Sequence, residues 1–204
     1  MVRVLQANQL TLHDVEVKFG LQLEVSPEFF TEWQVSPIAL DDYQRQVLDR
    51  AQADFRYLMA YPVHEEIVKM VVVSPLLSVE GFDRSPFRPV AEQTIEVEVE
   101  ADDETIRGRV DILVVNDRPW VITVEAKSPQ FSWLAELPQA LTYMMGGSPP
   151  SSTRFGLITN GTDLIFVKLE KDAGKYGLSK TFSLFNPGND LYDVVSVLKS
   201  VSSL

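Results

Sequence analysis

Two neighbouring stretches decide how this chain is read: Gly108-Arg109-Val110-Asp111-Ile112-Leu113-Val114-Val115 and Trp120-Val121-Ile122-Thr123-Val124-Glu125-Ala126-Lys127. Each has the β-branched, apolar composition of a buried strand. Each also carries charge where an uninterrupted apolar run is expected. Asp111 breaks the first run, and Glu125 and Lys127 end the second on one face, because side chains alternate along a strand. An unpaired buried carboxylate costs several kcal/mol, so such groups pair with a cation or hold a metal. A tight turn over Asn116-Asp117-Arg118-Pro119 folds the two strands together and brings Asp111 near Glu125.

Hard oxygen donors of this kind suit Mg²⁺, which takes one or two carboxylates and keeps several waters. On this reading Asp111 and Glu125 ligate Mg²⁺ or Mn²⁺, with the backbone carbonyl of Ala126 between them. Lys127 orients the attacking water and offsets charge as a phosphodiester is hydrolysed. A third carboxylate comes from a preceding helix that opens with Glu65 and Glu66; either residue can face the site, or both can simply favour the helix N-terminus.

Around these strands the pattern alternates between helix and sheet. Tyr43, Val47, Leu48, Ala51, Phe55, Leu58 and Met59 have helical spacing over 41–61, with Asp41 or Asp42 as N-cap. A second helix starts near Pro62 and runs to about Leu77, with Pro75 kinking its last turn. Strands are expected over 92–101, 106–116, 119–127, 154–159, 163–170 and 180–184, the Asn160-Gly161 turn joining the fourth to the fifth. Helices are expected over 131–145 and 191–201. The segment Leu12 to Val25 alternates and reads as a strand or hairpin. The result is one α/β domain, a mixed sheet flanked by helices, with a core at about 62–170, an N-terminal extension over 1–60 and a C-terminal helix at about 190–203.

Composition narrows the chemistry. The 204 residues carry a net charge of -11 and no cysteine, so thiolate metal sites and disulfides are excluded. The two histidines, His13 and His64, have no zinc-ligand spacing and belong to no Ser-His-Asp elbow motif. No apolar run is long enough to span a membrane, and the first residues do not read as a signal peptide, so the expected location is the cytoplasm. The acidity predicts weak nonspecific DNA binding, since affinity for DNA rests on Lys and Arg. Glu96, Glu98 and Glu100 share the solvated face of one strand. Arg84, Arg88, Arg107, Arg109, Arg118, Arg154, Lys168 and Lys171 are candidates for a local basic patch.

These elements resemble the PD-(D/E)xK nuclease superfamily, and within it the N-terminal nuclease domain of type I restriction enzyme R subunits. Glu65-x9-Pro75-Leu76-Leu77-x3-Gly81-Phe82 is similar to that family's opening helix, and Gly108-Arg109-Val110-Asp111 to its Arg-x-Asp strand. Glu125-Ala126-Lys127 matches its Glu-x-Lys element. Gln139-Ala140-Leu141-Thr142-Tyr143 resembles its Gln-x3-Tyr helix, and Phe155-Gly156-Leu157-Ile158-Thr159-Asn160-Gly161 the strand and turn that follow. The resemblance implies a restriction-endonuclease-like fold and metal-dependent DNA cleavage by Asp111, Glu125 and Lys127, with Glu65 and Gln139 in support. No Gly-x4-Gly-Lys-Ser/Thr phosphate loop occurs in these 204 residues, so the helicase motor of those subunits is not expected within them. Two alternatives stand beside nuclease activity: a catalytically silent binding or scaffolding protein on the same fold, and a nuclease subunit that borrows DNA affinity from a basic protein partner. The oligomeric state, a homodimer included, and the choice of DNA over RNA stay open.

Overall fold

The computed structural model describes residues 3–99, 104–116, 120–146 and 153–203. Its central strand is β4 (Glu104–Asn116), which pairs antiparallel with β3 (Phe87–Val99) along one edge. Two strands share its other edge: β1 (Arg3–Gln6) runs parallel to Glu104–Arg107, and β5 (Trp120–Ala126) runs antiparallel to Ile112–Val115. The stretch of that edge around Gly108 to Asp111 lies between the two partners. The sheet continues through β6 (Thr153–Thr159), β7 (Asp163–Glu170), β8 (Lys175–Leu178) and the short β2 (Gln22–Leu23), with β9 (Phe182–Ser183) also on β7. These nine strands form a mixed sheet, the restriction-endonuclease-like architecture expected from the sequence.

Helices cover both faces. One core gathers α2 (Asp42–Leu58), α3 (Glu65–Val68), α4 (Ser74–Glu80) and α6 (Leu191–Ser202) over Val114, Ile122, Val124, Leu157 and Phe166. On the other face α5 (Trp133–Met145) and α1 (Leu12–Phe19) pack over Ile158, Val167 and Leu169. Tyr143 of α5 joins Ile95, Val97, Ile106 and Leu113 there. Glu96 and Glu98 point out to solvent opposite this apolar row, as their alternation predicts. The Asp117-Arg118-Pro119 part of the β4–β5 turn, and Glu100, lie outside the described residues.

Several expectations are corrected. Leu12 to Val25 is not a hairpin: Thr11 and Asp14 form a capping box, Gly20 ends the helix at φ 64°, and Leu12, Val15 and Phe19 share a helical face. The apparent alternation came from Val17, which is exposed. The second helix begins at Glu65, and its irregularity precedes Pro75. A π-helical turn over Lys69–Val73 closes with the Ser74 N–H on the Lys69 carbonyl, and Pro75 falls in the first turn of α4. A proline ring collides with the carbonyl four residues back in a straight α-helix, and the wider turn avoids this. Strand β3 starts earlier than expected, β9 is shorter, and β1 and β8 had no expectation at all. Among the described residues the candidate cations do not gather into one basic patch. Arg154 and Lys168 are buried, Lys168 against Glu32 at 2.8 Å, while Arg84 lies beside Asp83 and the Ser78 carbonyl.

Candidate active site

Strand register brings the acidic residues together. The pair Ile112–Val124 places Asp111 next to Glu125 across β4 and β5. The pairs Ala91–Ile112 and Gln93–Val110 place Glu92 opposite Asp111 on β3. Three carboxylates therefore cross three strands in one row. Directly opposed strand residues share a face, so Asp111 and Glu125 lie on the α5 side of the sheet.

Gln139 of α5 meets them there, its Nε2 donating to Glu125 Oε2 at 2.7 Å. One helical turn on, the Tyr143 hydroxyl accepts from the Arg109 N–H at 3.0 Å. That N–H belongs to the part of β4 left between β1 and β5, so Tyr143 supplies the partner a strand otherwise would. Ala126 is buried and contributes its backbone: its N–H donates to Asp111 Oδ2 at 2.8 Å.

The third carboxylate arrives through lysines. Of the two candidates on the helix, Glu65 faces the site, with Oε2 3.5 Å from Lys127 Nζ, while Glu66 is exposed at the rim. Lys127 also approaches Asp111 at 3.8 Å and Glu136 at 3.9 Å. Sequence reasoning missed Lys69, which sits 2.7 Å from Glu65 Oε1 and 2.9 Å from Asp111 Oδ1. Its position four residues after Glu65 on a helix was the available signal. Glu136 and Glu92 were missed as well. Among the described residues no three His, Asp or Glu side chains are grouped to enclose an ion by themselves.

Burial sets the protonation of this cluster. Glu125 is wholly buried, which together with the neighbouring Asp111 carboxylate pushes its pKa up to about 8. Burial also raises Asp111 and Glu136. Burial works against the charge of Lys69 and Lys127, but the carboxylates around them prevail and both are raised. Glu65 is held below its usual value because these two ammonium groups outweigh its burial. Apart from the buried Glu125, these side chains line a cavity of about 790 Å³ that also takes in Gln6, Asn8, His64, Arg107, Phe131 and Tyr143.

A polar cavity lined by Glu65, Asp111, Lys127 and Gln139, with Glu125 buried behind Gln139, is what the resemblance leads one to look for. The sequence profile of the family described as Type I restriction enzyme R protein N terminus (HSDR_N) matches residues 64–182. The chain belongs to this family. No curated protein matches the chain. As a type I restriction enzyme R protein N-terminal domain, it is nuclease-like in fold and family. The match starts at the residue before Glu65 and ends within β9, so it contains every acidic and basic residue of the cluster. The cavity wall formed by Gln6, Ala7, Asn8 and Leu10 lies outside it.

Whether the residues fit a divalent ion can be tested on Glu125. Its Oε2 is taken by Gln139, while Oε1 is buried without a hydrogen-bond partner. A buried lone carboxylate oxygen beside a second carboxylate is a poor arrangement for protein alone and a good one for a hard cation. The residues fit.

Proposed function

We propose that the chain is a metal-dependent endodeoxyribonuclease that hydrolyses phosphodiester bonds at a PD-(D/E)xK site. The observation that carries this reading is the buried Asp111–Glu125 pair with the unpartnered Glu125 Oε1, beside a cavity that Asp111 and Lys127 line. Asp111 and Glu125 would hold Mg²⁺ or Mn²⁺, joined by the Ala126 carbonyl. Such an ion supplies Lewis-acid polarisation of the phosphate and an activated water. Gln139 fixes the Glu125 carboxylate through its 2.7 Å hydrogen bond, and the Ala126 N–H fixes Asp111. Lys127 keeps a positive charge facing the cavity, where it offsets negative charge growing on the phosphate. Glu65 holds that ammonium in place. DNA as the substrate follows from the family, whose restriction enzymes act on DNA.

Nicking of plasmid DNA in Mg²⁺ or Mn²⁺ tests the assignment. Asp111→Ala and Lys127→Ala are each expected to lower the rate about a hundredfold or more. Equal activity in the wild type and both variants would remove these residues from the mechanism.

The net charge of -11 favours a second element of the proposal: a basic protein partner that supplies DNA affinity. Under it, the isolated chain cuts slowly for want of binding, and adding the partner lowers the DNA concentration needed without changing the metal requirement.

A further inference from the structure

The mechanism above gives Lys69 no part, yet its ammonium lies closer to the Asp111 carboxylate than that of Lys127 does, 2.9 Å against 3.8 Å. The two oxygens of Asp111 are not equivalent. Oδ2 accepts the Ala126 N–H at 2.8 Å and lies 3.8 Å from Lys127, while Oδ1 accepts from Lys69 Nζ at 2.9 Å. A divalent cation held by Asp111 and Glu125 would compete with that ammonium for the Asp111 carboxylate.

An alternative seat for the lysine is already built. Glu92 Oε1 is 3.6 Å from Lys69 Nζ, while its Oε2 is held by Arg109 Nε at 2.6 Å. Among the described non-glycine residues Glu92 alone has a positive φ, 55°, in the middle of a β-strand. A left-handed glutamate is strained and persists only where surroundings over-determine it. What it accomplishes is to set a carboxylate beside Lys69, opposite Asp111. The lysine itself stands at the start of the π-helical turn, an irregularity that recurs at functional positions.

We propose that Lys69 is a positioning residue: an internal cation that neutralises Asp111 in the metal-free protein and moves to Glu92 when a divalent ion enters. This rests on the metal site proposed above. No bond forms or breaks, and the ammonium keeps its protons throughout. The device holds the Asp111 carboxylate in place beside Glu125 before the ion arrives.

Calorimetric titration of Mn²⁺ into the full chain tests it without any nuclease assay. Lys69→Met is expected to bind Mn²⁺ about tenfold more tightly than the wild type. Arg107→Gln removes a positive charge from the same cavity, but from a residue paired with Glu96, and is expected to change affinity less than about twofold. Glu92→Gln is expected to weaken binding several-fold, and that weakening should shrink when Lys69 is also replaced. Lys69→Gln serves if the methionine variant does not fold, with tightening again expected.

Mn²⁺ binding to Lys69→Met no tighter than to Arg107→Gln would overturn the competition. Fully additive effects of the Lys69 and Glu92 substitutions would overturn the transfer. Binding to Asp111→Asn as tight as to the wild type, or binding to none of these proteins, would instead overturn the metal site itself.

Discussion

Gly108 shows how little room the site leaves. A methyl group added there would run into the ring and hydroxyl of Tyr143, the side chain that caps the Arg109 N–H. Gly108→Ala is therefore expected to destabilise the protein by about 1–3 kcal/mol, as overpacking does. Equilibrium denaturation measures it; a change under about 0.5 kcal/mol would mean that Tyr143 moves freely. Glu125 is the other tight point, since its burial is tolerated only through Gln139 and whatever occupies the side of Oε1. At this scale much was legible. Asp111, Glu125 and Lys127 stand out because charge in an apolar strand demands a partner. Lys69 and Glu92 did not stand out, because a lysine on a helix and a glutamate on an acidic strand are ordinary until the fold sets them opposite Asp111.

Between elements, the π-helical turn and the α4–α6 contact matter most. The turn lets Glu65 and Lys69 face the cavity while its own Val72 and Val73, and Leu76 on the helix that follows, stay in the core. At the far end of that helix Glu80 packs against α6, accepting from Ser202 Oγ at 2.9 Å with Lys199 at 3.6 Å. Burial raises the Glu80 pKa above its usual 4.5 despite both contacts. The folded state thus prefers the neutral acid. Its contribution is fully present below the unfolded pKa and is lost as pH rises through the higher folded value. Glu80→Gln should accordingly melt higher than the wild type at pH 8, with the advantage disappearing towards pH 4. An equal difference at both pH values would show that Glu80 is not perturbed. The helix from 65 to 80 was legible as a helix, and Pro75 as its disturbance. That the chain accommodates Pro75 by widening the preceding turn depends on packing both halves against one sheet.

For the whole molecule, charge and topology decide different things. Arg107 and Arg109 reach the cavity, but each is paired with a glutamate, at 2.6 Å in both cases. Few cations are left to release counterions from phosphate. Binding of the isolated chain to duplex DNA should show a log K against log salt slope no steeper than about -3. A slope steeper than about -6 would reveal a basic surface and make a basic partner unnecessary. Among the described residues no helix is long and apolar enough to cross a membrane, in line with the hydropathy. The strands, the Asn160-Gly161 turn and the Asp111 and Glu125-x-Lys127 placements followed from local rules, because alternation and turn chemistry act over a few residues. The N-terminal segment is the contrast. Arg3–Gln6 becomes a strand only because β4 offers it an edge, and Leu12–Phe19 could be taken for either period. Local spacing alone thus determined the strands from β4 to β7 and that Asp111 and Glu125 are buried on one face. Tertiary structure alone decided which cations neutralise them, because an ion pair between distant segments depends on where the chain returns in space and leaves no periodic trace along it.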